Sequence, residues 1–250
     1  MTTAILSALP QEQEGLVELL ESPACVRAAG RDVFTGTLWG HPVAITLSRI
    51  GKVAAATTAT LLVERFGATR MVFTGVAGGL AAGVRVGDVV VASHLLQHDM
   101  DASPLFPRHE IPLYGLTHFA CDAALAAGLL QAARGLTHGT AFDTAVRERY
   151  ALDGAQVHHG LLVSGDRFMS TSLESEVLRQ RLPEALAIDM ESAAVAQVCH
   201  DYGMPFAAVR TISDRADDAA HVDFPAFVAE VASPYARAIL RRWLGASIAG

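Results

Sequence analysis

Four acidic residues stand just past apolar, strand-like runs: Glu12 after AILSAL, Asp166 after LLVS, Glu191 after LAIDM and Asp214 after FAAVRTIS. In open α/β sheets, ligands bind in the crevice beyond the carboxyl ends of the strands. Helix N-termini in the same place favour negative charge through their macrodipole, so capping explains any single one of these acids equally well. Four at one edge point to a site. Such a site repels phosphate unless a metal or arginine intervenes, and it welcomes a neutral, hydroxyl-rich molecule. Carboxylates accept hydrogen bonds from sugar hydroxyls, one can protonate a leaving group, and another can activate water. That is the division of labour in glycosidic bond hydrolysis.

Other motifs do not reach their chemistry. Gly51-Lys52 lacks the upstream glycine and the following Ser/Thr of a P-loop. The run TGVAGGLAAG, which contains Gly78, follows a strand without fitting GxGxxG; it is expected to make a tight turn, either beside a bound molecule or for structural reasons alone. His98-Asp99-Met100-Asp101 and His158-His159 lack a further ligand at metal-site spacing and read as polar loops. Ser164-Gly165-Asp166 and Ser213-Asp214 come without the spaced histidine of a triad. Cys25, Cys121 and Cys199 are odd in number and far apart. They fit neither a disulfide framework nor a CxxC site. No metal and no cofactor are expected.

The elements that must position the acids alternate between strands and helices. Thr3–Leu9 reads as a buried strand and Pro10–Leu20 as an amphipathic helix. Asp32–Leu38 and Val43–Ser48 read as a hairpin around Gly40-His41-Pro42. Lys52–Phe66 is a helix with apolar residues on almost every face, hence expected to be well buried. Arg70–Thr74 and Asp88–Ala92 are strands, and Phe119–Arg134 is a helix. Further strands fall at Leu161–Ser164, Ala187–Met190 and Phe206–Ile212, with helices at Leu173–Leu182, Ser192–Tyr202 and Pro225–Leu244. Leu136–Val157 shows no clear period. The alternation predicts one α/β domain over residues 1–250, with a mixed, largely parallel central sheet and helices on both sides.

Composition narrows the class. The 250 residues are 51% hydrophobic and 18% charged. That balance excludes a disordered chain. The net charge is −7, and the 19 basic residues include a single lysine, Lys52. A nucleic-acid binder would carry the opposite sign. No run approaches the length of an apolar membrane span and the N-terminus lacks a basic n-region, so neither a membrane helix nor a signal peptide is expected. A cytoplasmic enzyme fits these features.

In family order, the segments AILSALPQEQE, SRIGKVAAATTATLL, FTGVAGGL with VGDVVVAS, LLVSGDRFM, AIDMESAAVAQVCH, PFAAVRTISDRAD and HVDF cover nearly the whole chain. In them the sequence resembles the 5′-methylthioadenosine/S-adenosylhomocysteine nucleosidases of the nucleoside phosphorylase superfamily. The resemblance implies that superfamily's three-layer αβα fold. It makes Asp214 the general acid that protonates purine N7, and Glu12 the residue that orients and deprotonates the attacking water, with Arg210 a third catalytic residue helping to hold it. Glu191 would bind the ribose hydroxyls, Met190 would lie against the sugar, Phe168 would stack on adenine and the Met169 backbone would read its edge. Ile50 and Phe224 would wall the alkylthio pocket, with Val76 and Gly78 also in the substrate site. The resemblance further implies a homodimer in which the loop around His98–Pro112 closes the partner's site through Leu105, Phe106 and Pro112.

Two positions depart from the family pattern. Val76 stands where a serine would hydrogen-bond the catalytic acid, and Arg49 stands where a small residue is expected. The rival functions are a purine nucleoside phosphorylase and a futalosine-type nucleosidase. Phosphate capture wants several arginines and hydroxyls around a glycine-rich turn, whereas Phe73, Val76 and Glu12 supply none of that. A nucleoside-binding regulatory protein would not need Glu12, Glu191 and Asp214 together.

Overall fold

The computed structural model describes residues 1–137, 142–215 and 224–246. Strand β1 (Thr2–Ser7) runs into a four-residue helix α1 (Pro10–Gln13), and a 3₁₀ turn covers Val17–Leu19. The helix expected over Pro10–Leu20 is broken at Gly15. Its φ of +73° leaves the helical region, and a Cβ there would collide with Arg237 Nη1.

Three antiparallel strands follow, β2 (Glu21–Ala28), β3 (Arg31–Leu38) and β4 (His41–Leu47). Trp39 and Gly40 both have positive φ. That geometry suits the right-handed twist of a tight β3–β4 hairpin. Strand β2 escapes a sequence reading because its residues from Glu21 to Arg27 are all exposed, so no alternation marks it. Helix α2 (Lys52–Phe66) has the expected bounds and is closed at its C-terminal end by the left-handed Gly67. Glycine is the usual residue at such a helix end. The helix is less buried than its composition suggests. Ala55, Thr58, Ala59 and Leu62 are buried, but Val53 is 79% exposed.

The glycine-rich stretch is a strand, not a turn. Strand β5 (Ala68–Gly79) continues through TGVAGG because other backbones hold it: β1 as far as Phe73, β10 from Met71 to Gly78, and β9 at Gly78 and Gly79. Strand β6 (Val89–Gln97) pairs with a short β7 (Phe119–Ala120) where the start of a helix was expected. Helix α3 (Ala123–Thr137) begins only after Asp122, whose Oδ1 accepts from Leu125 N at 2.8 Å. That hydrogen bond caps the helix. The unpatterned stretch holds a short helix α4 (Thr144–Arg149), capped by Asp143; its residues 138–141 lie outside the described residues.

The chain goes on through β8 (Val157–Ser164), α5 (Ser172–Arg181), β9 (Ala185–Asp189), α6 (Ser192–Asp201) and β10 (Phe206–Asp214). Residues 216–223, which carry the end of TISDRAD and most of HVDF, lie outside the described residues. The helix expected over Pro225–Leu244 is present as one continuous helical run, made of α7 (Phe224–Phe227), a π-helical stretch Val228–Ala232 and α8 (Ser233–Ala246).

The described strands form one mixed, ten-stranded sheet in the order β10-β6-β8-β9-β5-β1-β4-β3-β2, with β7 on β6 and a further β10–β5 pairing. That last pairing closes β5, β10, β6, β8 and β9 into a ring. Helices α2 and α6 pack on one face through Ala59, Leu62, Ala193 and Ala196. Helices α3 and α8 pack on the other through Leu129, Ala133, Ile239 and Leu240. The three-layer αβα architecture agrees with the sequence reading.

Candidate active site

The ends of β1, β5, β9 and β10 meet around a cavity of about 210 Å³. Pro10 occupies the first position of α1. Its fixed φ suits a helix start, and it turns the chain so that Glu12 points back along it. Glu12 Oε2 accepts from Ala8 N at 2.7 Å and Leu9 N at 2.8 Å, and its Oε1 accepts from Val76 N at 2.9 Å. Burial pushes the Glu12 carboxyl above its usual range, while Arg210 and the three backbone N–H groups pull it back. A carboxyl poised in that way suits a general base.

Arg210 lies behind the cavity wall and is fully buried. Its Nε donates to Asp189 Oδ2 at 2.9 Å, Nη1 to the Thr74 carbonyl at 2.9 Å and Nη2 to Ser192 Oγ at 2.8 Å. It also stands 4.0 Å over the Phe73 ring. A buried cation is tolerable only when paired in this way. Asp189 is the partner, and it also accepts from the Glu191 and Ser192 backbone N–H groups and from Ser164 Oγ. Glu191 lies two residues on. Its Oε1 accepts from Gly51 N at 3.0 Å and its Oε2 lies 3.9 Å from Arg210 Nη2. Burial, with Asp189 adding to it, pushes the Glu191 carboxyl up to about 8.

Asp214 ends β10 opposite Gly78 of β5 and is buried, with Ser213 Oγ donating to its Oδ2 at 2.7 Å. Val76 has no hydroxyl to offer, and the neighbouring serine makes that hydrogen bond instead. Ile50, Val76, Gly78, Phe168, Met169, Met190 and Phe224 line the same cavity as Glu12, Glu191 and Asp214. Leu105, Phe106 and Pro112 do not. Asp166, one of the four strand-edge acids, is not part of the lining either; it is exposed and turned toward Lys52. Arg49 has φ +67°. Its guanidinium donates to the Gly30 carbonyl, in the β2–β3 turn.

A family model described as the phosphorylase superfamily matches residues 2–244. The chain belongs to that superfamily. It is 32% identical over 228 residues to a 5′-methylthioadenosine/S-adenosylhomocysteine nucleosidase of Shewanella frigidimarina, covering 91% of this chain and 92% of the relative. Its fold is similar to the Neisseria meningitidis enzyme of the same name in complex with methylthio-immucillin-A, at TM-score 0.86 and 33% identity, covering 98% and 99% of the two chains. It is also similar to the futalosine hydrolase of Helicobacter pylori, at TM-score 0.84 and 28% identity, covering 98% of each.

Two residues of this superfamily site are missed by sequence reasoning. Asp189 is visible only as a letter of AIDMES, with nothing in the spacing to pair it with Arg210. Gly75 stands where Glu12 and Arg210 converge. It has φ +146°, and a Cβ there would collide with both Glu12 Oε1 and Arg210 Nη1. The glycine run stands out in the sequence, but its spacing does not say which glycine is indispensable. Among the described residues there is no cluster of three or more His, Cys, Asp or Glu able to hold a metal, and no helix long and apolar enough to cross a membrane.

Proposed function

We propose that the protein hydrolyses the N-glycosidic bond of 5′-methylthioadenosine and S-adenosylhomocysteine, releasing adenine and the thioribose product. The observation that carries this reading is three buried carboxyls, Glu12, Glu191 and Asp214, on the wall of one cavity whose nearest buried cation is already paired with Asp189. In this reading Asp214 gives a proton to purine N7 as the C1′–N9 bond breaks, and Glu12 takes one from the attacking water. Arg210 steadies the Glu12 charge from behind the wall and is a positioning residue. Glu191 receives the ribose hydroxyls, Met190 lies against the sugar, Phe168 stacks on the base beside the Met169 backbone, and Ile50 and Phe224 wall the alkylthio end. The cation growing on the ribose ring is stabilised by the nearby Glu12 carboxylate.

A phosphorylase is disfavoured because Glu12 puts a carboxylate where the anion would have to sit, and Arg210 is committed to Asp189. A futalosine-type substrate is the second reading, supported by the likeness to the Helicobacter pylori hydrolase. Assembly as a homodimer fits the exposed apolar side chains Ile50, Val53, Leu105 and Leu113. Such side chains are costly to leave in water. Placement in the cytoplasm and in methionine salvage is consistent with this activity. Base release from 5′-methylthioadenosine, S-adenosylhomocysteine and futalosine, with and without phosphate, tests the reading. Release of adenine from the two thio-nucleosides, independent of phosphate, is expected; strict phosphate dependence would refute hydrolysis.

A further inference from the structure

Three features of the sequence have no assigned part in the chemistry: the Lys52 side chain, the His98-Asp99-Met100-Asp101 run and Asp166. They converge in space. Lys52 Nζ lies 2.6 Å from Asp99 Oδ1 and 4.0 Å from Asp166 Oδ2. Asp166 Oδ1 accepts from Lys52 N at 2.8 Å, and Asp99 Oδ2 accepts from Asp166 N at 2.9 Å. Each member is therefore tied to the other two. Lys52 and Asp166 sit beside rim residues, Lys52 after Ile50 and Asp166 before Phe168 and Met169, while Asp99 opens the segment running to Pro112, outside the cavity lining.

Lys52 is the single lysine among the 19 basic residues of the chain, the others being arginine. A compact ammonium with three donors meets carboxylates from two directions, which a planar guanidinium fork does poorly. The side chain of Lys52 is only 16% exposed, better covered than an ordinary surface pair. Burial pushes the Asp99 carboxyl up, yet the Lys52 ammonium and the Asp166 N–H together hold it below its usual range. Without the ammonium, two carboxylates would face each other across one backbone amide, and like charges there push the segments apart.

We propose that Lys52 is a positioning residue for base recognition: with Asp99 and Asp166 it forms a clasp that holds the Asp166–Met169 segment over the cavity and so sets nucleoside affinity. This rests on the nucleosidase reading, in which Phe168 and Met169 receive the purine. The clasp touches no reacting atom, so its loss acts on binding and spares bond cleavage.

The test is steady-state kinetics of Lys52→Met with 5′-methylthioadenosine, together with product inhibition by adenine. KM and the adenine Ki are expected to rise together by about fivefold, the upper end for one partly exposed ion pair. The kcat is expected to stay within about threefold, since the interaction is uniform between ground and transition state. Asp166→Asn keeps the size of an exposed side chain, preserves the fold, and should shift KM and Ki in the same direction. Lys52→Met combined with Asp166→Asn should be little worse than the more damaging single change, because both break one clasp. Reduced kcat with unchanged KM and Ki in both single variants would overturn the clasp, as would unchanged KM and Ki at full kcat. A wild-type enzyme that releases adenine from neither thio-nucleoside would instead sink the nucleosidase reading.

Discussion

The floor and the rim of the cavity are built on opposite principles. On the floor, Glu12, Asp189, Glu191 and Arg210 are all buried, and each is fixed by hydrogen bonds, many of them to backbone groups. At the rim, Phe168 is 44% and Ile50 55% exposed, and the loops carrying them are joined by side chains in partial contact with water. Preorganised polar groups in a dry site stabilise developing charge without having to reorganise. Loosely covered apolar walls can accommodate different 5′-substituents. The difference assigns reaction class to the floor and substrate choice to the rim.

The strongest way to break that assignment is at the proton donor. Asp214→Asn keeps a hydrogen-bonding side chain but cannot deliver a proton, so kcat should fall about 10²–10⁴-fold with KM changed much less. Glu12→Gln should lose a comparable factor by failing to activate water. If Asp214 serves only as a strand-end polar group, kcat of Asp214→Asn will be near normal and only its thermal stability will move, a result that would falsify the mechanism.

Gly75→Ala comes next. Its methyl group must displace Glu12 or Arg210, so stability should fall by about 1–3 kcal/mol and kcat should fall with it. Thermal denaturation beside kcat of the folded fraction checks this. A fully active, equally stable Gly75→Ala protein would show that the floor is not tightly packed.

A smaller effect is expected from Glu191 as pH changes. The folded chain keeps the Glu191 proton up to about pH 8, whereas an unfolded carboxyl releases it near the ordinary value of 4.5. Between those limits the unfolded state binds fewer protons, so this group lowers stability as pH rises. Glu191→Gln removes that slope, and its melting temperature should gain on the wild type as pH rises through that window. Parallel curves across the window would show that Glu191 ionises freely in the fold.

The smallest expected effect is at the rim. Ile50→Ala should raise KM several-fold for a substrate with an apolar 5′-substituent and leave kcat nearly unchanged, because it removes uniform binding. A large fall in kcat would place part of the chemistry at the rim and dissolve the distinction.

What the sequence reveals follows the same division. Helix α2 is legible to its end residues because two glycines bracket it locally, and the acids are legible because they follow apolar strands. Sequence-local signals do not report encounters between distant segments. Gly15 breaks a helix beside Arg237, Asp189 pairs with Arg210, and Asp99 reaches both Lys52 and the amide of Asp166; none of these has a periodicity to betray it. Strand β2 leaves no trace because its exposed side chains carry no alternation, and the TGVAGG strand reads as a turn because its order comes from backbone partners rather than side chains. The roles of the individual site residues come from the family resemblance, not from spacing.

Strand β5 carries a further consequence. Glycine-rich segments ordinarily exchange their amide protons quickly, yet this one is laddered to β10 as far as Gly78, gives its Val76 N–H to Glu12, and closes the ring of strands through β9 at Gly78 and Gly79. Its amides should therefore be among the slowest to exchange, opening only with global unfolding. The backbone beneath Glu12 then belongs to the same cooperative unit as the folding core. Local breathing at that point is suppressed, and the opening needed to admit a nucleoside must be supplied by the rim.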